Sequence, residues 1–254
     1  MSELGAKLIL DTLKLIENKM ANFIEQNESE ATYANKIEKT ETRINWNDDA
    51  EKIIGAGRTD KGVHAYGQSA NFFCDIEIKD KYKFLSSVNF FLKKNLISII
   101  NLTNKRLNFH ARHNVKKKIY KYIIFNRLTS SPLHQNRSWV IKKKLNFNNM
   151  KKGIKYFVGS HDFSSMRASS CSAKNPERTI VKAQVKKKQN KIIVNFESKS
   201  FLQKQVRSMV GCLKYVGENK WEPERIKFVL KSRRRELCAP PAPPDGLYLE
   251  KVFY

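Results

Sequence analysis

The chain has only four cysteines, Cys74, Cys171, Cys212 and Cys238, and no two of them form a C-x-x-C pair. Their spacing matches neither the common zinc motifs nor the dithiol redox motif, and it suits a reducing, cytoplasmic compartment. No metal site and no cofactor motif is read from the sequence. No apolar run approaches the ~20 residues of a membrane-spanning helix. The opening "MSELGAKLILDTLKLIE" lacks a basic n-region and carries acids, so it does not read as a secretory signal. Acids are scarce overall, with 24 Asp+Glu against 49 Lys+Arg, for a net charge of +25. Such an excess points to a polyanionic partner, above all nucleic acid. Lysine-favouring codon usage is the other source of such a balance, since lysine far outnumbers arginine.

What is present is enough to fold. The 254 residues are 41% hydrophobic, which suffices for one large domain or two small ones. The charge divides the chain unevenly. Residues 1–54 hold 7 Lys+Arg and 11 Asp+Glu, a net of −4, and residues 55–254 carry the remainder, a net of +29. Residues 3–20 read as an amphipathic helix with Ser2 as N-cap and Leu4, Leu8, Ile9, Leu13 and Ile16 on one face. The polar, acidic stretch after it reads as a linker. Beyond Gly55, the period predicts a strand over Gln68–Ile78, a helix over Lys81–Leu96 and a strand over Lys116–Asn126. A helix follows over Asn146–Phe163, stopping near Gly159. A hairpin spans Thr179–Lys199 with its turn at Gln189-Asn190, then come a helix over Ser200–Asn219 and a last strand, Leu247–Tyr254. Mixed elements of this kind predict an α+β fold with a mainly antiparallel sheet flanked by helices.

One short stretch concentrates chemistry. "GAGRTDKGVHAYGQ" (Gly55–Gln68) places Asp60 in a glycine-bounded turn, with Arg58 two residues earlier. A stiffly held carboxylate kept ionised by a cation can serve as nucleophile or base. An aspartate in a turn is common, however, and an Arg-x-Asp pair can be purely structural. "KKKIYKYIIF" interleaves aromatics and cations, with Tyr120 and Tyr122 on one strand face and Lys117 and Lys121 free to hold phosphates. An edge strand with solvated lysines has the same pattern. His64 and His161 read as side chains that orient backbone.

"GAGRTDKGVHAYGQSANF" resembles the signature of the TruA-type tRNA pseudouridine synthases. "FHAR", "YKYIIFN", "GSHDFSSMR", "PERTI", "FLQKQVRSMVG" and "PPDGLYLEKVFY" follow in the family's order across residues 55–254. The resemblance implies the pseudouridine synthase fold and a cofactor-free isomerisation of uridine in the tRNA anticodon stem-loop, typically at positions 38 to 40. It makes Asp60 the nucleophile, Arg58 the arginine beside it and Arg207 the arginine that pairs with it. It also makes Tyr120 the tyrosine that stacks on the target base. His110 and Arg112 of "FHAR" are candidate RNA contacts. Met166 stands where the family commonly has phenylalanine. A homodimer acting on tRNA, with no membrane association, is the implied state.

The family's opening strand and Y-D-G…G-W-Q loop are not found before Gly55. Residues Glu3–Ile53 instead resemble the stretch joining the two domains of methionyl-tRNA formyltransferase, without that enzyme's catalytic motifs. The expectation is therefore a formyltransferase-like segment over 1–54 joined to a synthase domain over 55–254 that lacks its usual N-terminal strand. A catalytically inactive tRNA-binding protein or a non-functional fusion product is the alternative.

Overall fold

The computed structural model describes residues 53–74 and 78–254. The helix expected over 3–20 and nearly all of the formyltransferase-like segment lie outside the described residues. In chain order the elements are β1 (Ile54–Gly55), β2 (His64–Ala65), β3 (Ala70–Asn71), α1 (Lys81–Leu92), β4 (Lys117–Asn126), β5 (Trp139–Ile141), α2 (Phe147–Gly153), β6 (Gly159–Asp162), β7 (Glu177–Lys188), β8 (Lys191–Ser198), α3 (Gln205–Gly217), α4 (Arg225–Ser232) and β9 (Leu247–Phe253). They fall into two compact units. One contains residues 53–58 and Ala70–His113, the other Thr59–Ser69 and Asn114–Tyr254.

In the smaller unit, β1 and β3 pair antiparallel, Ile54 opposite Asn71. The strand expected over Gln68–Ile78 is two residues long in the described part, Ala70–Asn71. Asp80 caps α1 by accepting from the Lys83 amide at 2.9 Å. Helix α1 buries Val88 and Leu92 against Ile53, Phe84, Phe91, Ile97 and Ile99. A 3-10 turn over Lys93–Asn95 continues it, and Leu96 ends it at φ 57°.

The larger unit is built on a sheet in the order β2-β9-β4-β8-β7-β6. Pairs β9·β4, β4·β8, β8·β7 and β7·β6 are antiparallel, whereas β2 runs parallel to β9. Strand β9 covers β4 as far as Tyr122, and β5 then pairs parallel with Ile124–Asn126. The β-branched and aromatic run in β4 forms the strand the sequence predicts. Its β7–β8 neighbour turns at Gln189, which sits at φ 52°. Strand β8 alternates strictly, burying Ile192, Val194, Phe196 and Ser198. That buried face packs with Tyr122, Ile124, Ile180 and Leu247 against Val206, Met209, Val210 and Leu213 of α3 and Ile226 and Val229 of α4.

Two predicted helices are shorter than their sequence period suggests. Helix α2, capped by Asn146, gives way to a 3-10 turn over Ile154–Phe157. Gly159, at φ 106°, then opens β6, so Gly159–Asp162 is strand rather than helix. Helix α3 begins at Gln205 because Lys204 stands in the left-handed region at φ 61°. The buried Gln205 side chain accepts from the Leu202 amide at 2.8 Å and closes that turn. Strand β9 carries a bulge. Ile119 faces Lys251 and Tyr120 faces Leu249, which leaves Glu250 as the extra residue. Its buried core-side positions therefore step from Leu249 to Val252.

Candidate active site

Asp60 opens a tight turn. The Val63 amide donates to the Asp60 carbonyl at 3.1 Å, and Gly62 takes φ 83°. That is the third position of a type II turn, where a positive φ favours glycine. A Cβ on Gly62 would also stand 3.0 Å from Pro244 Cγ. The chain then enters β2 directly, with His64 opposite Tyr248 and Ala65 opposite Leu249. The Tyr66 and Gly67 amides both donate to the Leu249 carbonyl, at 2.9 and 3.2 Å. The turn is thus fastened to the sheet edge immediately after the carboxylate.

Arg207 reaches Asp60 from the first turns of α3. Its Nη1 donates to Asp60 Oδ2 at 2.7 Å, and the two side chains are 13% and 21% exposed. The guanidinium is itself held, because Nε donates to the Ala242 carbonyl at 2.7 Å. The Ala242 amide in turn donates to the Arg207 carbonyl at 2.9 Å. The extended loop after Cys238 lies flat on the helix because Gly211, one turn beyond Arg207, has no side chain. A Cβ there would stand 2.0 Å from the Pro240 carbonyl oxygen.

The same loop is propped from the sheet. The fully buried Tyr122 donates its hydroxyl to the Pro243 carbonyl at 2.8 Å. Gly246 lies against that ring, and a Cβ there would come within 2.7 Å of two ring atoms. Burial pushes the Tyr122 phenol far up, the Arg207 charge opposes that, and the Asp245 charge adds to it. Tyr120, two residues earlier, meets Phe201 edge-on with ring centroids 5.1 Å apart. Burial first, and the negative charge of Asp60 second, push its phenol well above the ordinary tyrosine range. Tyr120 therefore keeps its proton at neutral pH.

Among the described residues, Asp60 Oδ1 makes no hydrogen bond, while Oδ2 is held by Arg207. One oxygen is fixed and the other is open, beside a neutral phenol. Such a carboxylate can attack an electrophilic carbon or take a proton.

The other sequence candidates are placed as follows. Lys117 pairs with Glu197 at 3.1 Å and lies over the Phe253 ring. Lys121 pairs with Glu250, the extra residue of the bulge. His64 Nε2 donates to the Asn136 carbonyl at 2.8 Å, and His161 Nε2 to that of Val158 at 3.0 Å, so both orient backbone. Arg58, His110 and Arg112 belong to the smaller unit. Arg58 and Arg112 are exposed there, and His110 Nδ1 accepts from the Arg112 amide at 3.1 Å. Met166 is fully buried in the core.

Reading the motifs missed the positioning residues Gly211, Ala242 and Pro243, and the partners of Gly62 and Tyr122. The visible signal was the proline-rich "CAPPAPPDG", which contains Ala242 and Pro243 and lies against Gly62, Gly211 and Tyr122.

The profile of a family described as tRNA pseudouridine synthase matches residues 154–254. The chain is 54% identical over 202 residues to tRNA pseudouridine synthase A of Pelagibacter ubique (strain HTCC1062), covering 80% of this chain and 82% of that protein. It is 41% identical to tRNA pseudouridine synthase A of Ehrlichia chaffeensis, with the same coverage. The protein of that name from Ehrlichia canis is 38% identical, over 78% of this chain and 81% of its own length.

Proposed function

The chain belongs to the tRNA pseudouridine synthase family, and from that premise we propose that it isomerises uridine to pseudouridine at positions 38 to 40 of the tRNA anticodon stem-loop. Asp60 is the nucleophile in this reading. The observation that carries it is the Asp60–Arg207 pair with Oδ1 open next to Tyr120.

The target uridine leaves its stack to reach Asp60, which costs a few kcal/mol of unstacking. Asp60 Oδ1 attacks at base C6 or ribose C1′, and the glycosidic C1′–N1 bond breaks. The uracil turns and C5 bonds to C1′. In the C1′ route C5 displaces Asp60 as it bonds; in the C6 route Asp60 leaves C6 after the new bond has formed. A base takes the proton from C5 and N1 takes one up, and the carboxylate is restored. No redox change occurs, and the atoms of substrate and product are the same. Arg207 balances the carboxylate charge whenever Asp60 is free. Tyr120 offers a ring for the base and a phenol that holds its proton until a partner accepts it.

The net charge of +29 over residues 55–254 suits a tRNA substrate. Phosphates approaching Lys117 and Lys121 would compete with Glu197 and Glu250 for them. Arg58, His110 and Arg112 supply further RNA contacts. The protein works as a cytoplasmic homodimer with tRNA lying across both subunits. Residues 1–54 are a formyltransferase-like segment whose end, Ile53 and Ile54, packs and pairs within the smaller unit, and the synthase domain is 55–254.

Purified protein incubated with unmodified tRNA is expected to yield pseudouridine at positions 38 to 40, mapped by carbodiimide chemistry, and none with Asp60→Ala. Bound tRNA at low salt without product from the wild-type protein would replace this reading with that of an inactive tRNA-binding protein. The presence of Asp60, Arg58, Tyr120 and Arg207 together argues against that alternative.

A further inference from the structure

Three side chains outside the catalytic pair form a row across the sheet. His64 stands opposite Tyr248, and Tyr248 stands opposite Lys121, so all three share one face. Their chain neighbours Leu247, Leu249 and Tyr122 are buried. The His64 and Tyr248 rings stack with centroids 4.7 Å apart. Tyr66 lies parallel to Tyr248 at 5.1 Å, with only 9° between the planes. Lys121 Nζ stands 4.8 Å from the Tyr66 centroid and 5.8 Å from that of Tyr248.

Because Lys121 and Tyr248 are side by side on the sheet, they support the same face of the Tyr66 ring. The other face is open, and Tyr66 is 60% exposed, whereas Tyr248 beneath it is 6% exposed. The assembly is rigid. The Tyr248 hydroxyl donates to the Arg137 carbonyl at 2.6 Å, and the Tyr66 amide is bonded into the sheet. A flat aromatic surface with its orientation already fixed loses little freedom when a second ring stacks on it.

We infer that Tyr66 is a stacking shelf for an unpaired base of the substrate RNA, flanking the uridine that Asp60 attacks. This rests on the synthase reading above. Tyr66 lies six positions after Asp60, a chain length of at most about 20 Å, so one RNA loop can touch both. Bases stack on aromatic rings whatever their identity. The cationic surroundings, net +29 over residues 55–254, favour RNA over a neutral partner.

The test compares Tyr66→Ala and Tyr66→Trp with the wild type, using tRNA carrying 2-aminopurine in the anticodon loop. Base–aromatic stacking predicts that Tyr66→Ala weakens tRNA binding and raises KM roughly 5- to 150-fold. It leaves kcat within about twofold and abolishes the protein-induced quenching of 2-aminopurine. Tyr66→Trp retains affinity and quenching. Unchanged affinity and quenching in Tyr66→Ala, with its melting temperature preserved, overturns the inference. So does a change of oligomeric state in sedimentation with tRNA affinity intact, which assigns the ring to a contact between subunits. Absence of pseudouridine from the wild type would sink the synthase reading alone, because quenching reports stacking without turnover.

Discussion

Replacing Arg207 by glutamine removes a charge while keeping a hydrogen-bonding side chain. The loss can be sized from the pair itself. Its N–O distance is 2.7 Å and its side chains are 13% and 21% exposed, so solvent screens it only in part. Unit charges about 4 Å apart attract by about 4 kcal/mol at an effective dielectric constant near 20. Hydrogen bonds to charged groups contribute about 1.5–3 kcal/mol. The two figures describe the same contact, so they are not added, and about 3 kcal/mol is the expected loss where Asp60 must be both charged and aimed. That corresponds to roughly two orders of magnitude in kcat/KM. Arginine also spans two acceptors at once, Asp60 Oδ2 and the Ala242 carbonyl. A lysine ammonium lacks that planar fork, so Arg207→Lys is expected to recover only part of the loss. Tritium release from C5-labelled uridine in tRNA measures turnover, and thermal unfolding of the same preparations reports integrity. Arg207→Gln working within threefold of wild type would refute the reasoning. So would a loss of activity that merely tracks the unfolded fraction.

Three further outcomes follow from the surroundings of the site. Gly246→Ala places a Cβ 2.7 Å from a Tyr122 ring that is fully buried and tied to Pro243. It should destabilise the fold by about 1–3 kcal/mol, read as a lower urea midpoint, and a wild-type midpoint would contradict the packing. The Tyr122 phenol is raised by burial, so both folded and unfolded states keep its proton below about pH 10. Above that pH the unfolded state ionises first and binds fewer protons, so stability falls as pH rises. Urea unfolding of Tyr122→Phe at pH 9, 10 and 11 should show a decline shallower by up to about 1.4 kcal/mol per pH unit, and parallel curves would refute it. Cys212 and Cys238 lie with their sulfurs 3.6 Å apart. The hydrogen bond from Cys212, then the Arg235 charge, lower the Cys238 thiol, whereas its bond to Cys238 and burial raise Cys212. Iodoacetamide near neutral pH should modify Cys238 before Cys212, as peptide mass spectrometry would show, and the reverse order would be inconsistent with this arrangement.

Local chemistry made the larger elements legible. The β-branched run of β4, the Gln189 turn and the apolar stripe of α3 are each written within a dozen or so residues, and each forms where its pattern points. What is set by distant neighbours was not legible. Nothing within β9 announces that Glu250 will be extra, because the bulge exists only in its pairing with β4. The predicted helix was expected to run to Gly159 but ends at Gly153, and the positive φ of Gly159 starts a strand whose partner lies further along the chain. The site shows the same division. Arg58 stands out by proximity in sequence, while the arginine seen on Asp60 lies 147 residues away. Only the resemblance to a family pointed to Arg207, and the loop that holds it was visible as a motif without a role.

The catalytic pair also has a place in time. Strand β9, the last of the described strands, lies between β2 and β4, and Ala242, Pro243 and Pro244 just before it hold Arg207, Tyr122 and the Gly62 turn. Until β9 has been made, β2 lacks its one partner among the described strands, and the Asp60 turn lacks its anchor on Leu249. Contacts this long-range close late, since the entropy of their loops must be overcome first. A nascent chain therefore carries every reactive side chain well before it carries a site, and premature termination anywhere before Leu247 yields a protein without one.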